Sequence, residues 1–298
     1  MKTTSPTEQT VRTIRAMRRQ EELGYSVSDY LSSLPKATSA LDTPVDASCR
    51  FAMAKWCNDI AVHCKYEKET VAIAMSCLDR FMSTPSGKEI LLDRSQYQLA
   101  AMTALYSSVK IHEQEAMDPN LVSSLSAGVH SPKAVEAMEF KMLTAIKWRM
   151  NPPTAISFVR LMIDLFPHSF FPSCEKETIM DVAKIQIDLI LNKYSFCTIQ
   201  ESAVALACMM NAIESVTDDD IFCANFASVV GKIISIDDAI LQELRFAIYE
   251  LMNGSHSNEN AQITICKRRK LRSSCAKDAA TRDNSFQSSP RSVAVPQR

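Results

Sequence analysis

Glycine is scarce in this chain, with five in 298 residues. A β architecture built on tight turns needs more positive-φ positions than that, so the many Ala, Met and Leu residues point to long helices. No apolar run approaches the ~20 residues that a membrane-spanning helix requires, and the polar, Arg-containing residues 1–19 hold no signal-type hydrophobic segment. A soluble intracellular protein with no membrane partner is expected. Also missing are a Gly-rich phosphate loop, a nucleophile–base arrangement and any Cys-x-x-Cys pair. Those gaps argue against an enzyme and against a cofactor. Ten cysteines are present, but most fall within apolar helical patterns and read as reduced core thiols. Cys57, His63 and Cys64 are ligand types close together, yet no second pair follows at finger-like spacing, so no metal is expected.

What is there in quantity is apolar residue, 46% of the chain, enough for a substantial core. Charge is balanced overall at −1 but unevenly placed. Residues 263–298 carry nine Lys/Arg against two Asp, which leaves 24 basic and 32 acidic residues in the rest, a body at −8. An acidic body disfavours a duplex DNA surface, and a nucleic-acid partner is not expected.

Periodicity predicts an all-α fold. A basic helical stretch lies within residues 1–24, and residues 26–34 read as a short amphipathic helix with Val27, Tyr30, Leu31 and Leu34 on one side. Helices are predicted at 44–64, 67–83, 94–110, 120–128 and 133–148. After Asn151-Pro152-Pro153, where paired prolines interrupt any helix, they resume at 154–166, 176–192, 200–214, 218–234 and 237–252. The third helix of each set is apolar nearly all round and rich in small residues, as a helix packed on every side must be. A duplicated five-helix unit follows, with divisions at 1–44, 45–151, 152–255 and 256–298. The last division is polar, Ser-rich and aperiodic, and is expected to be a disordered basic tail.

On the helix predicted at 44–64, Cys49, Met53, Trp56, Cys57 and Ile60 form one broad stripe, with Phe51 and Val62 well off it. That is more apolar surface than one core face needs, so the helix is either fully buried or presents a partner site.

The run Cys49-Arg50-Phe51-Ala52-Met53-Ala54-Lys55-Trp56, then Leu78-Asp79-Arg80-Phe81, Gln98-Leu99, Lys110 and Met138-Glu139, resembles the cyclin box in order and spacing. The resemblance is strong over residues 45–150 and looser in the second unit. The lead-in from Arg15 to Leu31 is most similar to D-type cyclins. It implies an N-terminal helix, two tandem five-helix cyclin folds and a non-catalytic subunit. Such a subunit binds and activates a cyclin-dependent protein kinase and helps to recruit substrates in cell-cycle control.

The resemblance also implies residue roles. Lys110 and Glu139 match the pair that hydrogen-bonds the kinase backbone, and Ile111, Leu143, Trp148 and Met150 match positions that pack on the kinase. Trp148 could equally plug the seam between the units. Cys49, Met53, Trp56, Asp59, Arg94 and Gln98 match a shallow groove that docks Arg-x-Leu segments of substrates or inhibitors. Cys49 and Ala52 are smaller than the family's usual residues and narrow that groove. Arg50 and Asp79 match a buried structural ion pair.

In the tail, Lys267, Arg268, Arg269, Lys270 and Arg272 have the composition of a nuclear-import signal, consistent with residence in nucleus and cytoplasm. Arg269-Lys270-Leu271 also has Arg-x-Leu form. Ser289, followed by Pro290, is a candidate proline-directed phosphosite. Two rival classes stand beside this reading. One is a cyclin-fold scaffold that activates no kinase, and the other is a DNA-binding transcription factor of the B-type initiation factor class.

Overall fold

In the computed structural model, residues 5–32, 43–166, 173–217 and 220–254 are described, and they are helical throughout apart from short connections. The helices are α1 (Pro6–Gly24), α2 (Ala47–Cys64), α3 (Lys68–Met82), α4 (Pro85–Lys88), α5 (Arg94–His112), α6 (Pro119–Leu125), α7 (Pro132–Ala145), α8 (Ala155–Asp164), α9 (Ser173–Leu191), α10 (Glu201–Val216), α11 (Asp220–Ile234) and α12 (Asp238–Met252). A 3₁₀ turn, Tyr194–Phe196, follows α9. Among the described residues no helix is long and apolar enough to cross a membrane.

Local chemistry explains most of the helix starts. Ser5-Pro6, Thr84-Pro85, Asp118-Pro119 and Ser131-Pro132 each place a side-chain acceptor at the cap and a proline in the first turn, where its missing N–H costs nothing. Asp46, Asp93, Thr154 and Asp237 cap α2, α5, α8 and α12 in the same way. Thr84-Pro85 opens a one-turn helix that periodicity does not detect, because four residues hold little more than one period.

The predicted segment at 26–34 is corrected. Residues 25–30 have no helical structure, and residues 33 and 34 lie outside the described residues. The non-helical path follows from captured donors. Ser28 N–H donates to Ser83 Oγ (3.1 Å) and Leu31 N–H to Tyr194 Oη (2.9 Å), so neither is left to build an i→i−4 ladder. The apolar residues remain inward-facing: Tyr30 is fully buried, and Val27 and Leu31 pack on the core.

Two hydrophobic cores form. The first is made by α2–α7 together with Tyr30 and Val45, around α5, which packs against α2, α3, α6 and α7. The second is made by α8–α12 around α10, which packs against α8, α9, α11 and α12. From Leu99 to Val109 every residue of α5 is buried, and α10 is buried from Ser202 to Met210. Such helices cannot be amphipathic, because every face meets a neighbour. Helix α1 does not join the core that follows it in sequence. Its Ile14 is fully buried in the second core, and Arg18 Nε donates to the Ile234 carbonyl at the end of α11 (3.1 Å).

Candidate functional site

Arg50 organises the junction of the two halves. It projects from the first turn of α2, and its guanidinium donates from Nε and Nη2 to the two carboxylate oxygens of Asp79 on α3, at 2.9 and 2.8 Å. Nη1 donates to the carbonyl of Leu191, the last residue of α9 (2.8 Å), so a cation stands at the negative end of that helix. Tyr30 Oη donates to the same Asp79 carboxylate (2.9 Å), and its ring meets Tyr194 edge-on at 5.0 Å. Both charges are buried, and although burial works against the charged guanidinium, the Asp79 carboxylate holds the Arg50 pKa well above its ordinary value. This is architecture. It ties α2, α3, the 25–31 segment and α9 into one joint.

A second cluster lies on the surface where α5 meets α7. Lys110, near the end of α5, donates from Nζ to both Glu139 oxygens at 3.2 and 3.3 Å, and Ser107, one turn earlier, donates from Oγ to Glu139 Oε1 at 3.0 Å. The Lys110 ammonium also stands over the Tyr106 ring, 5.4 Å from its centre. Desolvation by itself would depress the Lys110 pKa, but the hydrogen bond and charge of Glu139 outweigh it and raise it. Glu139 is largely buried and Lys110 half-exposed, so the carboxylate is held in place while the ammonium can reach outward. His112, at the end of α5, has Nε2 3.1 Å from the Met150 carbonyl, which fixes the chain after α7 beside this pair.

Large apolar side chains lie exposed on the same elements. Ile111, Phe140 and Trp148 keep 52%, 66% and 64% of their surface accessible. At that exposure Trp148 does not plug the seam between the halves. It follows Lys147 in the left-handed region, with φ of 56° and 60°, a conformation that costs energy at side-chain-bearing residues. Phe140 is absent from the sequence-based set. The signal for it was available, because it lies roughly 200° around α7 from the buried Met138. Leu143 and Met150 require a correction. At 8% and 7% exposure they belong to the first core and lie beneath this surface.

The groove residues sit around α2 and the start of α5. Met53 is buried in the core, Cys49 and Trp56 are half-buried against it, Gln98 is half-buried and Asp59 is exposed. Arg94 is already committed: Nη2 donates to Asp46 Oδ2 (3.0 Å) and Nε to the Pro44 carbonyl (3.0 Å). The Asp46 carboxyl is held down at about 2, chiefly by the Ser48 hydroxyl and then by the Cys49 N–H. Off the stripe, Phe51 and Val62 are exposed, and the Lys193 ammonium stands 5.7 Å from the Phe51 ring centre. Lys267, Arg268, Arg269, Lys270, Arg272 and Ser289 lie outside the described residues.

Residues 12–151 match the family model described as the cyclin N-terminal domain. The chain belongs to the cyclin family. Mouse G1/S-specific cyclin-D1 is 22% identical over 248 residues, covering 82% of this chain and 79% of that protein. The G2/mitotic-specific cyclin-B of Hydra viridissima is 24% identical over 178 residues, 60% of this chain and 42% of that one. Among solved structures, the viral cyclin from herpesvirus saimiri aligns with a TM-score of 0.60 at 16% identity, covering 81% of this chain and 97% of the viral one, which shows the fold. Within this cyclin the two cores are tandem cyclin folds, with α5 and α10 as their central helices. The likeness to D-type cyclins rests on low identity.

Proposed function

We propose that this cyclin is the regulatory subunit of a cyclin-dependent protein kinase in cell-cycle control at the G1/S transition, and that it activates the kinase by position. The observation that carries the reading is the Lys110–Glu139 pair framed by Ile111, Phe140 and Trp148. Polar bonds discriminate best within an apolar, dried contact, and here a hydrogen-bonded carboxylate and a half-exposed ammonium stand amid exposed hydrophobics. Pressed against a kinase's mobile helix, the pair would hydrogen-bond its backbone. That helix would then favour the position in which its Glu meets the ATP-bound Lys. Moving such an equilibrium from mostly inactive to mostly active takes about 5 kcal/mol of differential binding, within reach of a large interface with a buried polar anchor.

Substrate recruitment through Cys49, Met53, Trp56, Asp59, Arg94 and Gln98 belongs to the same proposal. It needs Arg94 to leave Asp46 or to act through its exposed edge. Nuclear import through residues 267–272, and control by phosphorylation at Ser289, are proposals from composition.

The test is recovery of a kinase from cell extract on tagged wild-type protein beside Lys110→Ala and Glu139→Ala. Removing one partner of a desolvated pair costs about 2–5 kcal/mol, so folded variants should lose roughly 30-fold or more in recovered kinase and in phosphorylation of a retinoblastoma fragment. Equal recovery on all three would remove the pair from the mechanism. No kinase on any of them would favour the scaffold reading.

A further inference from the structure

Between the two cyclin folds lies a cleft of about 710 Å³, within the roughly 300–1,000 Å³ of small-molecule sites. Its walls come from the 25–29 segment, α3, the Pro152-Pro153 link, α9 and the start of α10. Apolar side chains such as Met75, Ile156, Ile187 and Phe196 make much of the surface, but the charge is one-sided: seven carboxylates line the cleft against three cations. Those cations are already engaged. Arg50 is bound to Asp79, Lys68 pairs with Asp188 across the two folds, and Lys193 stands over Phe51. Of the acids, Glu69 is answered by Arg160 and Glu21 by Arg18.

Glu201 has no such answer. It opens α10, lies deep between the folds, and accepts the Ala155 N–H (3.1 Å), and no Lys or Arg among the described residues pairs with it. The accessible surface that it keeps contributes to the cleft lining. Burial first, then the neighbouring Glu21 carboxylate on α1 and Asp79 on α3, raise its pKa to about 7, and Arg50 on α2 only partly offsets them. An uncompensated carboxyl at the end of an apolar cleft is a site short of one positive charge.

We propose that the cleft binds a small amphipathic organic cation, with its amine against Glu201 and its apolar body along Ile156, Ile187 and Phe196. An amine fits because it supplies both the missing charge and hydrogen-bond donors, and the walls reward an aliphatic or aromatic body. Nothing in this assignment requires the kinase.

Dansylcadaverine, a fluorescent primary amine on an apolar arm, tests it by titration into the full chain at pH 8, with the neutral N-acetyl derivative as control. Saturable, blue-shifted fluorescence is expected, weaker by about tenfold or more for the acetylated probe and for Glu201→Gln with the amine. Ala72→Trp, which puts a large ring in the cleft wall, should abolish the signal while the protein still melts cooperatively. No saturation by about 1 mM, or equal affinity for both probes, would overturn the proposal. So would unchanged binding by folded Glu201→Gln. Removing residues 256–298 should leave the affinity unchanged, and a gain of about tenfold would mean that the chain's own basic tail fills the cleft, which also overturns it.

Discussion

At the residue scale, two charged groups between the folds behave in opposite ways: Arg50 is ion-paired, whereas Glu201 accepts the Ala155 N–H but has no Lys or Arg partner among the described residues. Arg50 has three acceptors, both Asp79 oxygens and the Leu191 carbonyl, and the Tyr30 hydroxyl donates to the same Asp79 carboxylate. Arg50→Ala would strand the Asp79 charge in the interior, and a loss of about 3–5 kcal/mol is expected in chemical denaturation, with both folds affected because the residue joins them. Glu201 is the reverse case. Its folded pKa stands at about 7 against an ordinary carboxyl value of 4.5, so between those values the folded protein holds a proton that the unfolded chain has released. The contribution of Glu201 to stability therefore falls as pH rises from about 4.5 to about 7 and is level above that. Glu201→Gln, which keeps an acceptor for the Ala155 N–H, should raise stability at pH 8 by about 1–3 kcal/mol and leave it nearly unchanged at pH 4.5. Thermal melts at the two pH values read the difference, and a variant less stable than wild type at pH 8 would contradict this account.

At the scale of elements, the legible signals were those that act within a few residues. Apolar periodicity, interrupted at Pro152-Pro153, places α2, α3, α5 and α7–α12 close to where they stand, since stripes and proline breaks are local chemistry. The amphipathic pattern of residues 26–34 shows where local reading stops. Val27, Tyr30 and Leu31 do face inward, but Ser83 and Tyr194, distant in sequence, take the Ser28 and Leu31 N–H donors and the chain there is not helical. Helix α4 is decided the same way. Its Gly87 lies against the backbone of the end of α3, where any Cβ would run into the Phe81 carbonyl. Gly87→Ala should therefore cost more than the few tenths of a kcal/mol that a helical Gly→Ala change ordinarily returns, about 1–3 kcal/mol of destabilisation by overpacking. A melt equal to wild type would show that α4 can move aside.

At the scale of the whole molecule, α1 and the Arg50 joint make the two cyclin folds interdependent. Helix α1 precedes the first fold yet buries Ile14 in the second, and its Glu21 carboxylate accepts from the Ser202 N–H (3.0 Å) and hydroxyl (2.7 Å) at the start of α10. Ile14→Ala is expected to cost about 2–5 kcal/mol, and hydrogen exchange should show α8 and α11 deprotected before α5. Protection lost first from α5 would mean that α1 matters mainly to the fold it precedes in sequence. The sequence by itself determined the helical class, the duplicated order of helices, the all-round apolar α5 and α10, and a cyclin likeness carried by Arg50, Asp79, Lys110 and Glu139. These are properties of composition, period and spacing, which the linear chain carries. Only the tertiary structure decided that Leu143 and Met150 are core, that Phe140 and Trp148 are surface, that α1 serves the second fold and that Glu201 has no cation paired with it among the described residues. Each of those depends on which distant backbone or side chain arrives at the same place, and neither burial nor an ion pair exists until it does.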